Sequence, residues 1–333
     1  MKKAKLLLLA LLTAAMMFGC GKEAEEVSEQ PVEQPEAESV IIETGNLVTS
    51  YLTGKQVDEA IGRQRPLAVM FNNIEAGCPQ TGISRADVVY ECPVEGRITR
   101  LMGVIEDWHD LEKIGSVRSC RDYYVSFALE FDAIYVHFGQ ATVYVGDMLN
   151  SDLVDNISGA VAGIDRPANH AFYRTDDRKA PHNVYVSAEG VMEDIEKFQY
   201  SLTYDEAYYG KFKFAKDGED LDYSKYPDAT LIYPGGKETN KANGFSKVGA
   251  YFEYNEEDGK YYRYQYGEEH IDELTGEQLA YSNVIFQYCH GEVRDKEDYL
   301  AFGCHGDEDR MIRVFTQGKM VPGTWHRTSD DVP

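Results

Sequence analysis

Positive charge is scarce in this chain. Against 57 Asp and Glu stand 33 Lys and Arg, a formal charge of −24. So acidic a surface repels phosphate backbones and anionic lipid, which excludes nucleic acid as a partner and a body lying flat on the membrane. Cysteine is sparse: apart from Cys20 there are Cys78, Cys92, Cys120, Cys289 and Cys304. An odd, widely spaced set is no disulfide framework. Beyond the first residues no apolar run is long enough to span a bilayer. G-x-S-x-G, a Gly-rich phosphate loop, H-E-x-x-H and a helix–loop–helix calcium loop are all absent. No catalytic residue, metal ligand set or cofactor is expected.

What is present begins with a leader. Lys2, Lys3 and Lys5 precede the apolar run Leu6–Met17, and Phe18-Gly19-Cys20 puts a small residue before a cysteine. That is the pattern of a bacterial lipoprotein signal over residues 1–19, with Cys20 the lipidated residue, although Met17 stands where Leu is commonest. The expected partner is the membrane, reached through Cys20 from its extracytoplasmic face. From Glu23 to Glu43 there are eight Glu, with Pro31 and Pro35 and little apolar content. Residues 20–57 therefore read as an acidic, extended tether.

The rest divides by texture. Residues 58–214 mix strand and helix patterns, an α/β or α+β mixed-sheet N-terminal domain. Strands are expected over 66–72, 86–92, 99–106, 114–119 and 133–138, with Gly96 turning a hairpin. Tyr124, Phe127, Ala128 and Phe131 fall at helical spacing on one buried face. Further helices are expected over 142–149 and 187–198, the latter capped by Ser187. Residues 215–228, acidic with Gly and Pro, read as a linker. A β-rich C-terminal domain follows over 229–333, with strands at 230–233, 248–254, 261–266, 283–289, 299–304 and 311–316. Asp258-Gly259 marks a hairpin turn.

Two segments carry candidate chemistry. Arg118, Ser119 and Arg121 precede the helix at 122, where unpaired N–H groups suit an anion. Arg174, Arg178, His182 and Asn183 lie in RTDDRKAPHN; guanidinium forks fit carboxylate or phosphate, and His182 titrates near neutrality. Arg100, on the third strand, and His137, at the end of the fifth, can join them. The arginines have two destinations open to them, a ligand or the chain's own carboxylates. Cys120, flanked by two arginines at a helix start, is expected to pack as a small residue at the helix entry; if exposed, it would ionise readily and be reactive. A hairpin turning at 295–298 places Cys289 opposite Cys304. Alternation within strands argues against zinc on the two Cys-His pairs and leaves a disulfide or free thiols.

The segments RPLAVMFNN, GISRADVVYECPVEGRITRLMGV, KIGSVRSCRDYYVSFALEFDAIYVHFG, RKAPHNVY and VFTQGKMVPGTWHR resemble the YerB-like bacterial lipoprotein family from about Arg65 onward. The resemblance implies a lipid-anchored envelope protein of two domains, usually with a small residue where Cys120 stands and with a further β segment after Trp325. The expected function is binding of an anionic or polar cell-wall ligand through Arg100, Arg118, Ser119, Arg121, His137, Arg174, Arg178, His182 and Asn183. Its rivals are an envelope phosphoryl or glycosyl-phosphate transferase and a scaffold for a membrane-protein partner in wall synthesis.

Overall fold

The computed structural model describes residues 45–159, 163–216, 218–219, 221–236, 244–303 and 306–327. The leader, Cys20 and Cys304 lie outside them. The body opens with a hairpin, β1 (Leu47–Thr49) and β2 (Gln56–Asp58), and a short helix α1 (Glu59–Gly62) capped by Asp58. Leu52 is buried and Ser50 donates to Glu106 at 2.9 Å. The expected tether therefore ends sooner than residue 57, because Leu52 brings an apolar anchor into the fold.

Next come β3 (Leu67–Phe71), β4 (Val88–Val94), β5 (Ile98–Ile105) and the two-residue β6 (Ile114–Gly115). They are followed by α2 (Asp122–Leu129), β7 (Ile134–His137), α3 (Thr142–Leu149) and β8 (Asn156–Ser158). The central sheet runs β4-β5-β3-β7-β8. β3, β7 and β8 are parallel, and β5 runs antiparallel to both β3 and β4. Every residue of β3 is buried because both faces of the sheet are covered. Leu67, Val69 and Phe71 point into one core with Trp108 and Val191. Ala68 and Met70 point into the other, with Tyr124 and Phe127 from α2, Phe131 just beyond it, and Val145 and Leu149 from α3. The helical face expected around α2 is thus the one buried.

The polar stretch 165–187 holds two unexpected strands, β9 (Phe172–Arg174) and β10 (Val184–Val186). They form a small antiparallel sheet with β6, which ends sooner than expected. Helix α4 (Ala188–Phe198) follows, and the Ser187 hydroxyl accepts from Gly190 N–H at 3.2 Å.

The C-terminal part is strand-rich. β11 (Leu231–Ile232), α5 (Gly244–Val248), β12 (Tyr251–Asn255), β13 (Lys260–Gln265), β14 (Glu268–Glu269) and β15 (Ala280–Tyr281) come first. β16 (Asn283–Gln287), β17 (Gly291–Val293), β18 (Leu300–Phe302), β19 (Gly306–Thr316) and β20 (Lys319–Arg327) complete the described part. Asp258-Gly259 turns β12 into β13 as expected. The β17–β18 register pairs Gly291 with Phe302, the alignment that a turn at 295–298 requires. α5, where a strand was expected to begin, leans on β5. A Cβ on Gly244 would stand 2.4 Å from the Ile98 carbonyl oxygen, so only glycine permits that approach.

Candidate functional site

The segment after β6 crosses the carboxyl ends of β3 and β7. Arg118 N–H donates to Met70 O at 2.9 Å, Phe138 N–H to Arg118 O at 3.0 Å, and Cys120 N–H to Gly139 O at 3.0 Å. Gly139 has φ +91, and a Cβ there would meet Ser119 Oγ at 2.6 Å, so this crossing needs glycine. Val117 N–H donates to Val184 O, which brings the 174–184 segment alongside. Ligands of open α/β sheets sit beyond the carboxyl ends of parallel strands, and this is such a place.

Three arginines gather here without a carboxylate partner among the described residues. Arg118 donates to Pro181 O at 3.3 Å, and its Nε is buried with no hydrogen-bond partner. Arg174 donates to Asn183 Oδ1 at 2.7 Å and lies over the Phe138 ring at 5.3 Å. Arg100 is buried behind them, donating to Ser119 O at 2.5 Å. Burial, then the charges of Arg121 and Arg118, push Arg100 down to about 10. Arg118 is lowered by burial, then by Arg121 and Arg174. Several other arginines take acids: Arg65 takes Asp132 and Asp155, Arg263 takes Glu91, and Arg294 takes Asp122.

His182 joins the cluster. Its Nδ1 lies 3.0 Å from Asn72 Nδ2, and burial followed by the Arg118 charge lowers its pKa. No hydrogen-bond signature marked Asn72 in the sequence; its position right after β3 was the only clue.

Other expected members are held elsewhere. Arg121 grips Glu95 through Nε and Nη2, and burial of that pair is outweighed by Arg121's bonds, leaving Glu95 below the usual carboxylate range. Arg178 donates to Gly77 O at 3.0 Å and Pro79 O at 2.7 Å, and lies 3.6 Å from Glu273. His137 is fully buried; Nδ1 meets Gly139 O at 3.0 Å and Nε2 meets Ser158 Oγ at 2.7 Å. Burial pushes it down to about 4, so it is a neutral core group. Ser119 donates to Phe138 O, and Asn183 to Thr175 O, so both brace the site's backbone. Cys120 is packed at the helix entry: burial outweighs the arginines and pushes the thiol up to about 12. Cys289 is exposed and forms no disulfide among the described residues; Cys304, its expected partner, lies outside them.

Two hollows lie away from this cluster. One of about 300 Å³ lies between Asp122, Tyr123, Met148 and the β17–β18 hairpin. The other, of about 410 Å³, is lined by Tyr51, Arg63, Phe212 and Phe214. Among the described residues no group of three His, Cys, Asp or Glu could hold a metal, and no helix is long and apolar enough to cross a membrane.

Comparison with known proteins places this geometry. Residues 52–201 match the N-terminal domain, and residues 241–333 the C-terminal domain, of the family described as protein of unknown function DUF3048. The chain belongs to the DUF3048 family. Over 160 residues it is 34% identical to the Bacillus subtilis (strain 168) protein named "Putative lipoprotein YerB", covering 48% of this chain and 46% of that one. The match thus spans about half the length of that relative. The fold is similar to the crystal structure of the YerB protein from Bacillus subtilis, with a TM-score of 0.68 at 24% identity over 86% of this chain and 89% of that one. Both DUF3048 domains are therefore present, a mixed-sheet part followed by a strand-rich one.

Proposed function

We propose that this DUF3048 protein is held by a lipidated Cys20 on the extracytoplasmic face of the membrane and binds an anionic envelope ligand at Arg118, Arg174 and His182. The observation that carries the binding reading is that Arg118 and Arg174, in a chain of net charge −24, pair with no carboxylate among the described residues. Two partly exposed guanidiniums kept free of abundant acids suit charge-assisted bonds to an oxyanion, each contributing about 1.5–3 kcal/mol. Arg100 adds charge from behind. Arg121, Arg178 and His137 act as supports.

Anchoring rests on the leader pattern and on a relative whose name calls it a lipoprotein. The transferase reading has less support, because a proton-transfer group is wanting: His182 meets Asn72 through Nδ1 and lies beside a guanidinium. The scaffold reading has less too. The exposed Ile285 pairs in register with Val314, three residues from the exposed Met311, so the two stand on opposite faces of their sheet and build no shared patch.

Titrating the protein with phosphate-bearing and carboxylate-bearing wall fragments tests the reading by NMR. Shifts centred on residues 72, 118, 138, 174 and 182 support it; no saturable shift with any anion removes it. Cell fractionation of a Cys20→Ser variant tests the anchor, which predicts release from the membrane fraction.

A further inference from the structure

The side chain of Asn72 has more to do than fill space. Its Oδ1 accepts from Ile74 N–H at 3.5 Å, which turns the amide so that Nδ2 faces Ser116 Oγ at 3.3 Å and His182 Nδ1 at 3.0 Å. Two N–H donors then meet two acceptors. An imidazole nitrogen that receives a hydrogen bond carries no proton, so the hydrogen of His182 is on Nε2. Protonation of Nδ1 would set two donors against each other. Burial and the nearby Arg118 charge oppose it as well.

Arg174 stands beside Arg118, and the backbone N–H of His182 donates to Lys179 O at 2.9 Å. The loop carboxylate Asp177 is held by Thr175 Oγ1 and Lys113. The acceptors at the site are also taken: Pro181 O by Arg118 and Asn183 Oδ1 by Arg174.

Resting on the binding reading above, we infer that Asn72 locks His182 in its Nε2–H form, so that Arg118, Arg174 and His182 present donors alone to an oxyanion that carries no proton. Phosphodiesters and carboxylates belong to that class. Asn72 is a positioning residue, acting through His182. A site made this way holds its ligand independently of pH across the range where a free histidine would titrate.

The test uses the whole chain, with glycerol phosphate oligomers as the phosphodiester probe and phosphatidylglycerol vesicles as the same chemistry on a lipid. Imidazole ¹⁵N shifts should report His182 as the Nε2–H tautomer from pH 6 to 8. Probe affinity should change less than twofold over that range. In Asn72→Asp the carboxylate accepts, so the tautomer should reverse to Nδ1–H. In Asn72→Leu, which adds no charge, His182 is free to charge and affinity should rise about fivefold or more from pH 8 to 6. A mixed or Nδ1–H tautomer in the unaltered protein, or an affinity that climbs about tenfold at pH 6, overturns the inference even where the probe binds. Loss of all anion binding with the Nε2–H tautomer intact strikes the binding reading and leaves the role of Asn72 standing. Oligomer binding without vesicle binding assigns a polymer source, and the reverse assigns a headgroup; either supports the site.

Discussion

Arg263 on β13 donates through Nη2 to both carboxylate oxygens of Glu91 on β4, each at 3.0 Å, joining the strand-rich part to the central sheet. Both side chains are nearly buried. Around them Gln80 Oε1 meets His270 Nε2 at 2.6 Å, and Asp272 accepts from Gly82 and Ser84 N–H. His270 is lowered by burial and then by Arg263, so it serves as a neutral link. The junction is a satisfied polar network, in which each group needs its partner.

Removing one half of that pair leaves a charge buried and alone. Glu91→Ala should lower stability by about 3–5 kcal/mol in urea unfolding. The double variant Glu91→Leu with Arg263→Met should recover most of the loss. Equal losses in the single and double variants would contradict the view that the isolated charge is what costs.

Two buried groups oppose one another in the pH dependence of stability. Glu106, pushed up from 4.5 to about 7 by burial and then by Asp87, binds its proton more tightly folded than unfolded. Its contribution is full below pH 4.5 and is lost as pH rises through 7. His137, pushed down from 6.5 to about 4 by burial, behaves oppositely: its contribution is full above 6.5 and is lost as pH falls through 4. Between pH 4.5 and 6.5 the two contributions change in opposite directions, so melting temperature should stay nearly flat there. Glu106→Gln should uncover the His137 contribution alone, so that melting temperature rises from pH 4 to 6.5 and is level above. A profile in Glu106→Gln that stays flat between pH 4.5 and 6.5 would remove Glu106 as the opposing group.

Thiol chemistry should follow burial and not the neighbouring charge. In reduced, folded protein an alkylating reagent should label the exposed Cys289 at least ~100-fold faster than Cys120, which should react only on unfolding. Rapid labelling of Cys120, read by peptide mass mapping, would restore the ionised thiol that its two arginines suggest.

Much of the fold was legible where the pattern is local. The run LAVMF, the period around Tyr124 and Phe127, helix α3 and the Ser187 cap each announce themselves within one or two turns of chain. β9 and β10 are three residues long and exist because each pairs with the other, which no local period reveals. β20 was missed because Pro322 and Gly323 interrupt its strand pattern, although it pairs along β19. The site was half legible. Arg118 and Arg121 sit in one loop with the same chemistry. Glu95 reaches one of them, and that depends on where the β4–β5 hairpin turns.

The central claim is that Arg118 and Arg174 stay unpaired for an anion. Isothermal titration of the double variant Arg118→Ala, Arg174→Ala with an anionic wall fragment that binds the unaltered protein tests it most directly. The account predicts at least a hundredfold weaker binding, about 3 kcal/mol, with the unfolding midpoint unchanged or raised because neighbouring like charges are relieved. Affinity within twofold of the unaltered protein would contradict it.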